Sequence, residues 1–254
     1  MQQQYTAIAQ HYDRLNGADY DAWCDFLLTC LATYGKASRG LTAEREVLDL
    51  ACGTGAIALR LAARGYDVVG VDLSAEMLSI ARERAQKQGA DVLWLQQDMR
   101  AFELYGTVEA AFCCLDSLNY LLTRDGWEKT FSLLHNYIEP QGLLVFDVHT
   151  KDCLQALGAQ DIVCEEEDVL LAWQSEYHEK TALCDFYLSF FCQGKDGRYT
   201  RTDEHQRQRA FSDRTIRDML KKNGFTVLHT CADLLGTPPQ QGDERCFYVC
   251  RCEK

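Results

Sequence analysis

Short apolar runs alternate with segments of helical period between residues 47 and 148 of this chain. The apolar runs predict five strands, at residues 47–50, 67–71, 92–96, 110–115 and 143–148. Helix signals lie between the runs, since Ser74 stands at a predicted helix N-terminus and Gly89 follows the predicted end of that helix. Because parallel strands need crossover connections, this order predicts βαβ units and a parallel sheet with helices on both faces.

The pattern changes after about residue 150. Residues 160–210 alternate polar residues with apolar or aromatic ones, which predicts antiparallel strands, and residues 195–198 predict a tight hairpin turn. A helix at residues 212–223 and two strands, at residues 226–231 and 246–252, are predicted to close the chain.

These patterns divide the chain into three predicted parts. Residues 1–45 form an N-terminal helical cap, in which the apolar positions of residues 1–35 follow a helical period and residues 36–45 are a polar connection. Residues 46–155 and 211–254 form an α/β domain, and residues 156–210 form an antiparallel β lid inserted into it.

Composition narrows the class of partner. The chain has 254 residues, 38 of them acidic and 26 basic, and a net charge of -12, so nucleic acid is a disfavoured partner. The first residues lack a signal peptide, and no apolar stretch has the length of a membrane span, so we expect no membrane contact. The 13 scattered cysteines are typical of buried thiols in a cytoplasmic protein and lack the spacing of a zinc site, so no metal is expected. The oligomeric state is left open.

A glycine turn follows the first predicted strand. The residues Gly53-x-Gly55-x-x-Ala58 allow the backbone to turn sharply and to approach a ligand, and the next helix directs free N–H groups at that ligand. Asp72 ends the second strand nineteen residues after Gly53, where its carboxylate can accept hydrogen bonds from ribose hydroxyls. The same spacing occurs in dinucleotide-binding enzymes, and by itself it also fits a plain tight turn.

Three features favour S-adenosylmethionine over a dinucleotide as the ligand. Asp49 stands just before the turn, where a carboxylate would repel a pyrophosphate and attract the ammonium group of a methionine moiety. Asp98 follows the third strand, where it can accept a hydrogen bond from an adenine amino group. The chain also has about 45 residues before its first strand, whereas dinucleotide domains often begin with their glycine turn. It has a further short strand at its end, residues 247–250.

From about Tyr5 to the C-terminus, the sequence resembles the class I S-adenosylmethionine-dependent methyltransferases. The resemblance is strongest over residues 48–72 and continues at residues 98–99 and 114–117. It implies a Rossmann-like seven-stranded sheet of order 3-2-1-4-5-7-6, with strand 7 antiparallel. The start of the chain and residues 146–150 further resemble the small-molecule group of this class, which has an inserted antiparallel lid.

The resemblance also implies which residues bind the cofactor. A tyrosine of the N-terminal helix contacts the cofactor, and Tyr12 is our choice, although Tyr5 and Tyr12 also fit an ordinary helix core. At Ala51 the family often has glycine, and alanine is a small change. The implied contacts are Asp49, Ala51, Gly53, Gly55 and Leu115 around the methionine part, Asp72 on the ribose, Leu73 and Met77 against the adenine, and Asp98 and Met99 at the adenine rim.

Candidate substrate residues follow the fourth and fifth strands and lie on the lid. Asp116 and Asn119 follow the fourth strand, at the edge where α/β sheets bind ligands, or they cap a loop. His149 follows the fifth strand and is the candidate general base, or a structural histidine. His205 shares a predicted strand face with four charged residues. This face is either a polar wall over the substrate or a solvated face of the lid.

The sequence therefore predicts methyl transfer from S-adenosylmethionine to a nitrogen or oxygen atom of a small acceptor. An NAD-dependent oxidoreductase is the first alternative, and it leaves Asp49 and Asp98 without a role. A non-catalytic S-adenosylmethionine-binding protein is the second. A methyltransferase of protein or RNA is the third, and the acidic composition argues against RNA.

Overall fold

A computed structural model describes residues 9–35 and 45–254, so Tyr5 lies outside the described residues. The helices of the described part are α1 (Tyr12–Leu15), α2 (Tyr20–Tyr34), α3 (Ala56–Ala63), α4 (Ala75–Gln88), α5 (Arg124–Tyr137), α6 (Lys151–Leu157) and α7 (Asp213–Lys222). The strands are β1 (Glu46–Leu50), β2 (Asp67–Asp72), β3 (Leu93–Gln96), β4 (Val108–Cys113), β5 (Ile138–His149), β6 (Asp161–Glu166), β7 (Val169–His178), β8 (Leu183–Gln193), β9 (Tyr199–Arg209), β10 (Phe225–Cys231) and β11 (Arg245–Cys252).

The main sheet has seven strands in the order β3-β2-β1-β4-β5-β11-β10. The strands β1 to β5 pair in parallel, and β11 runs antiparallel to both of its neighbours, β5 and β10. Numbered along the chain within this sheet, the order is 3-2-1-4-5-7-6 with strand 7 antiparallel, so the predicted fold class is confirmed.

The last strand, β11, shows why this sheet is apolar on both faces. Phe247 packs against Trp23 and Phe26 of α2, with ring centroids 5.2 and 5.1 Å away. The next residue, Tyr248, points to the other face and stacks on Phe146 at 4.9 Å, in the core that α5 and α7 cover. Since successive side chains of a strand alternate between faces, helices on both faces require apolar residues throughout.

The second sheet is antiparallel, with the strand order β6-β7-β8-β9, and we call it the lid. Its inner face contains Leu171, Phe186 and Phe190, which pack with Leu154 of α6 and Met77 of α4. The predicted turn at residues 195–198 joins β8 and β9, and its glycine has a φ of +78°. Among the described helices, none combines the length and the apolarity that crossing a membrane requires.

Two local predictions differ from the structure. The fifth strand, predicted at residues 143–148, begins earlier, at Ile138, and the predicted break at residues 140–142 is an irregularity in which Gln141 has a φ of +64°. Helix α6 was not predicted, because seven residues give too short a periodic signal, although Thr150 caps it by accepting from the Cys153 N–H. The proposed boundary between residues 155 and 156 falls inside α6, and the division into three parts stays a prediction.

Candidate active site

The turn between β1 and α3 contains three residues in the left-handed region. Ala51, Gly53 and Gly55 have φ values of 61°, 54° and 74°. A Cβ on Gly55 would lie 2.5 Å from the Trp94 ring and 3.0 Å from the Cβ of Ala81. Glycine at position 55 therefore satisfies both the backbone conformation and the close approach of β3 and α4.

Gly55→Ala is expected to destabilise the protein by about 1–3 kcal/mol more than Gly65→Ala. Gly65 is a matched control, because it also has a positive φ, +87°, but a Cβ there would meet nothing within 4 Å. The control therefore measures backbone strain alone, about 1–2 kcal/mol, whereas Gly55→Ala also displaces Trp94 from a packed position. Chemical denaturation of both variants checks this, and equal losses would contradict it.

Asp72 organises the glycine turn from the end of β2. Its Oδ2 accepts from the Gly53 N–H at 2.8 Å, and its Oδ1 accepts from the Ser74 N–H at 2.8 Å. Burial raises the pKa of the Asp72 carboxyl, although these N–H groups oppose the shift. The next residue, Leu73, is 54% exposed, which leaves an apolar side chain open beside this carboxylate. Met77 differs from Leu73, because it is buried and packs with the inner face of the lid.

Asp49 at the end of β1 is a buried carboxylate with an unused oxygen. It is 2% exposed, and its Oδ2 has no hydrogen-bond partner among the described residues. Burial, with a smaller contribution from the charge of Asp72, raises the pKa of Asp49 to about 7. Tyr12, Ala51, Gly53 and Leu115 line the same cavity, so the structure brings these predicted residues together. A buried acceptor of this kind fits the ammonium group of a methionine moiety.

The two residues predicted at the adenine rim, Asp98 and Met99, follow β3. Asp98 accepts from Arg100 Nε at 2.9 Å, and this hydrogen bond, against some burial, lowers the pKa of the Asp98 carboxyl. Met99 packs against the core on the α5 side of the sheet. Asp98 is therefore ionised and already paired with Arg100, and a contact with adenine would use its remaining acceptor capacity.

Two carboxylates and one arginine meet at the carboxyl ends of β4 and β5. Arg245, the first residue of β11, donates through Nη2 to Asp116 Oδ1 at 3.0 Å and through Nη1 to Asp147 Oδ2. Burial works against the ionised form of Asp116, but the charges of His149 in its protonated form and of Arg245, with hydrogen bonds from Gln208 and Arg245, more than offset it and hold its pKa below the usual range. For Asp147, burial outweighs the same arginine and raises the pKa.

His149 belongs to a closed ring of hydrogen bonds with Arg245, Gln208 and Asp116. Arg245 Nη2 lies 2.9 Å from His149 Nε2, and Gln208 Oε1 lies 3.1 Å from His149 Nδ1. Gln208 Nε2 donates to Asp116 Oδ2 at 2.7 Å. Because a guanidinium can only donate, Nε2 accepts, and the hydrogen-bond pattern assigns the proton of a neutral His149 to Nδ1. The lone pair that a general base needs is therefore already used.

A family model described as a methyltransferase domain matches residues 47–142. A putative methyltransferase of Geobacillus sp. (strain WCH70) is 35% identical over 249 residues, which are 97% of this chain and 99% of that protein. The chain belongs to the class I S-adenosylmethionine-dependent methyltransferases.

Two further similarities agree with this family. An S-adenosylmethionine-dependent methyltransferase structure from Clostridium acetobutylicum ATCC 824 has a TM-score of 0.87 and 28% identity, and the match covers 99% of this chain and 100% of that one. A glycine/sarcosine N-methyltransferase of Halorhodospira halochloris is 30% identical over 183 residues, or 66% of this chain and 65% of that protein. The cofactor of this methyltransferase is S-adenosylmethionine.

The methyltransferase uses two of the predicted acceptor residues differently from the sequence-based expectation. Asn119 is fully buried, and its amide donates to the carbonyls of His149 and Arg209 and accepts from the His149 N–H. His205 lies on the outer face of the lid, where Nε2 is 2.6 Å from Asp185 Oδ1 and the ring stacks on Tyr187 at 4.8 Å. The structure therefore does not bring His205 to the ring around His149.

Sequence reasoning missed Gln208, Arg245, Asp147 and Asp13. The alternation along β9 correctly groups the odd-numbered residues 201–209 on one face, and Gln206 and Gln208 occupy the buried, inner face. Arg245 lies 96 residues after His149, so no local pattern connects them. Within residues 9–35 and 45–254, no three His, Cys, Asp or Glu side chains are grouped so as to hold a metal ion.

Proposed function

We propose that this methyltransferase transfers a methyl group to a nitrogen or oxygen atom of a small acceptor in the cytoplasm. The unpartnered Oδ2 of the Asp49 carboxylate, beside the glycine turn, carries the proposal, because it gives the cofactor a specific anchor. The similarity to a glycine/sarcosine N-methyltransferase supports a small acceptor. Thirteen free thiols, ten of them buried, support a reducing compartment.

The residues present fit S-adenosylmethionine. In the proposed arrangement Asp49 binds the ammonium group, the turn at Gly53 and Gly55 gives close backbone contact, and Asp72 binds the ribose. The other proposed contacts are Tyr12, Ala51 and Leu115 at the methionine part, and Leu73, Met77, Asp98 and Met99 around the adenine. The cofactor supplies a methyl group on a positively charged sulfonium, which is an activated leaving group.

The protein's own contribution is to position the acceptor and to exclude water. The lid's apolar inner face and the N-terminal helix α1, which contributes Tyr12 to the cavity, enclose this end of the sheet. Alignment of two reactants in such a cavity contributes about 7–11 kcal/mol. Asp116, held ionised beside Arg245, is the proposed acceptor-side carboxylate, since its charge attracts an amine. The amine gives its proton to solvent before its nitrogen lone pair takes the methyl group and the thioether of S-adenosylhomocysteine leaves. Asn119 supports the strand ends through its backbone contacts.

His149→Gln is expected to lower kcat by less than about 10-fold and to leave the pH profile of kcat unchanged. His149 Nε2 accepts a hydrogen bond from Arg245. We therefore expect His149 to support the hydrogen-bonded ring with Arg245, Gln208 and Asp116, and not to take the acceptor's proton. Loss of a general base costs about 100- to 10,000-fold. His205→Gln, on the outer face, should change kcat by less than twofold. A loss of 100-fold in His149→Gln, with the acidic limb of the profile removed, would restore His149 as the base.

Isothermal titration with S-adenosylmethionine, S-adenosylhomocysteine and NAD, followed by a screen of amine, hydroxyl and carboxyl acceptors, tests the function. We expect micromolar binding of the first two ligands, no binding of NAD, and turnover with a small amine or alcohol. Binding of the two ligands without turnover of any acceptor, including peptide and RNA, would indicate a non-catalytic protein. Binding of NAD alone would overturn the proposal.

A further inference from the structure

Asp13 of α1 joins three separate elements around the cofactor cavity. Its Oδ1 accepts from the Tyr20 hydroxyl at 2.7 Å and from Thr54 Oγ1 at 2.8 Å, and its Oδ2 pairs with Arg84 Nη1. Tyr20 begins α2, Thr54 belongs to the glycine turn, and Arg84 lies on α4. One carboxylate therefore connects the N-terminal helices to both elements that flank the predicted cofactor.

Two of these partners are walls of the cavity itself. Tyr20 and Thr54 line the cavity together with Tyr12 and Asp49. Tyr20 and Thr54 are both buried, so their hydrogen bonds to Asp13 are shielded from water. Hydrogen bonds to a charged group in such surroundings are strong. Removal of the Asp13 carboxylate would leave the buried hydroxyls of Tyr20 and Thr54 without this acceptor, which is costly.

The opposite side of α1 contacts the lid through apolar packing of Tyr12 and Leu15 and through polar interactions that are more exposed. Arg14 Nη2 donates to Asp168 Oδ1 at 2.7 Å, but the two side chains are 42% and 49% exposed. His11 Nε2 lies 3.7 Å from the sulfur of Cys192. Exposed ion pairs contribute little to stability. The less exposed polar attachment of α1 is therefore the one to the cofactor turn.

We propose that Asp13 is a positioning residue that holds α1 closed over the methionine end of the cofactor, and thereby sets how slowly the cofactor leaves. The inference rests on the proposed cofactor site. Tyr12 and Tyr20 form their wall of the cavity only while Asp13 holds Tyr20 and Thr54 together. Movement of α1 to admit or release the cofactor must break these bonds, so they contribute to the barrier for dissociation.

Four variants test this role. Asp13→Ala removes all three contacts, Asp13→Asn retains an oxygen but loses the charge, and Thr54→Val removes one donor without changing shape. Asp168→Asn is the matched control, since it removes the exposed partner on the other side of the same helix. Calorimetry gives the Kd for S-adenosylmethionine, and stopped-flow displacement gives its dissociation rate. Amide hydrogen exchange of the cofactor-free protein over residues 12–20 gives a readout independent of turnover.

We expect Asp13→Ala to raise both Kd and the dissociation rate at least tenfold, with intermediate effects in Asp13→Asn and Thr54→Val and less than twofold change in Asp168→Asn. Exchange over residues 12–20 should accelerate in the same order. The acceptor KM should stay within twofold, whereas general loosening would change it too. If Asp13→Ala does not fold, the dissociation rates of Asp13→Asn and Thr54→Val test the inference.

Two results would overturn the inference while leaving the function intact. The first is unchanged dissociation in folded Asp13→Asn and Thr54→Val. The second is an equal effect of Asp168→Asn, which would assign the closure to the lid. A parent protein that binds no S-adenosylmethionine would instead overturn the proposed function, and the inference with it.

Discussion

Asp49→Asn is expected to weaken S-adenosylmethionine binding by at least about 30-fold, which is about 2 kcal/mol, while making the cofactor-free protein more stable. The carboxylate is 2% exposed, and its Oδ2 has no partner among the described residues. In the proposed complex this oxygen accepts from the cofactor's ammonium group, and asparagine retains the shape but loses the charge. A buried charge pair that loses one partner costs about 2–5 kcal/mol.

The gain in stability depends on pH with a definite sign. Burial raises the pKa of Asp49 to about 7 in the folded protein, whereas an unfolded aspartate titrates near 3.9. The folded state therefore binds more protons than the unfolded state between these values, and the free energy of unfolding falls as pH rises from about 4 to 7. At pH 7 and above, ionisation of the buried Asp49 lowers the free energy of unfolding by an amount on the order of 4 kcal/mol. Asparagine should recover only about 1–3 kcal/mol of this loss, because its own amide is also desolvated.

Denaturant unfolding of the cofactor-free protein between pH 5 and 8 measures this directly. The advantage of Asp49→Asn over the parent should grow as pH rises to 7 and then level off. Cofactor affinity of the parent should increase over pH 6 to 8, since the ionised carboxylate pairs with the ammonium group, and this increase should be smaller in the variant. Asp67→Asn, an exposed position at the start of β2, is the control. Unchanged affinity in Asp49→Asn would remove the anchor from the proposal.

Arg245→Met is expected to cost about 3–5 kcal/mol of stability at pH 7 and to abolish detectable turnover. The arginine lies between Asp116 and Asp147, and its removal leaves one buried and one largely buried carboxylate without their shared cation. It also removes the donor to His149 Nε2, so the ring that includes Gln208 opens. Methionine has a similar length and fills the space, so packing loss is a smaller part of the effect.

Arg201→Met is the control for this change, because Arg201 pairs with Asp203 at 2.8 Å on the exposed part of the lid, with 60% of its side chain accessible. Exposed pairs contribute about 0–1 kcal/mol. Without Arg245 the folded pKa of Asp116 should rise above the unfolded value, and that of Asp147, which is already raised, should rise further. The deficit of Arg245→Met should therefore shrink as pH falls, because the carboxylates then take up protons. A deficit below 1 kcal/mol, or one that widens on acidification, would contradict this account.

The sheet and the turn residues could be predicted from the sequence, because their signals are local. The pattern from Val47 to Asp72 predicts a strand, a turn, a helix and a second strand, and the structure contains these elements in that order. The order of the outer strands came from the family resemblance. Periodicity alone does not determine which strands become neighbours.

The acceptor side was harder to predict, because its residues meet only in three dimensions. Alternation grouped His205 with other charged residues correctly, but it does not state which face of a strand turns inward, and the inner residue is Gln208. Arg245 begins an ordinary closing strand, and its charge is explained only by Asp116 and Asp147, which come from two other strands. Asp13 adjoins Tyr12, yet its three partners are distant in sequence or lie on another helix.

Asn119 has a consequence for how this enzyme can change. Its amide nitrogen donates to the carbonyl of His149, where the chain leaves the main sheet, and to that of Arg209, where β9 ends and the chain returns. The two ends of the intervening segment are thus adjacent, at 3.0 and 3.1 Å from one atom. Segments with adjacent ends can be exchanged between relatives with little disturbance of the host, since loop closure costs the host no more than before. We expect that exchange of this segment between relatives, joined at these two carbonyls, would change the acceptor preference while leaving the main sheet intact.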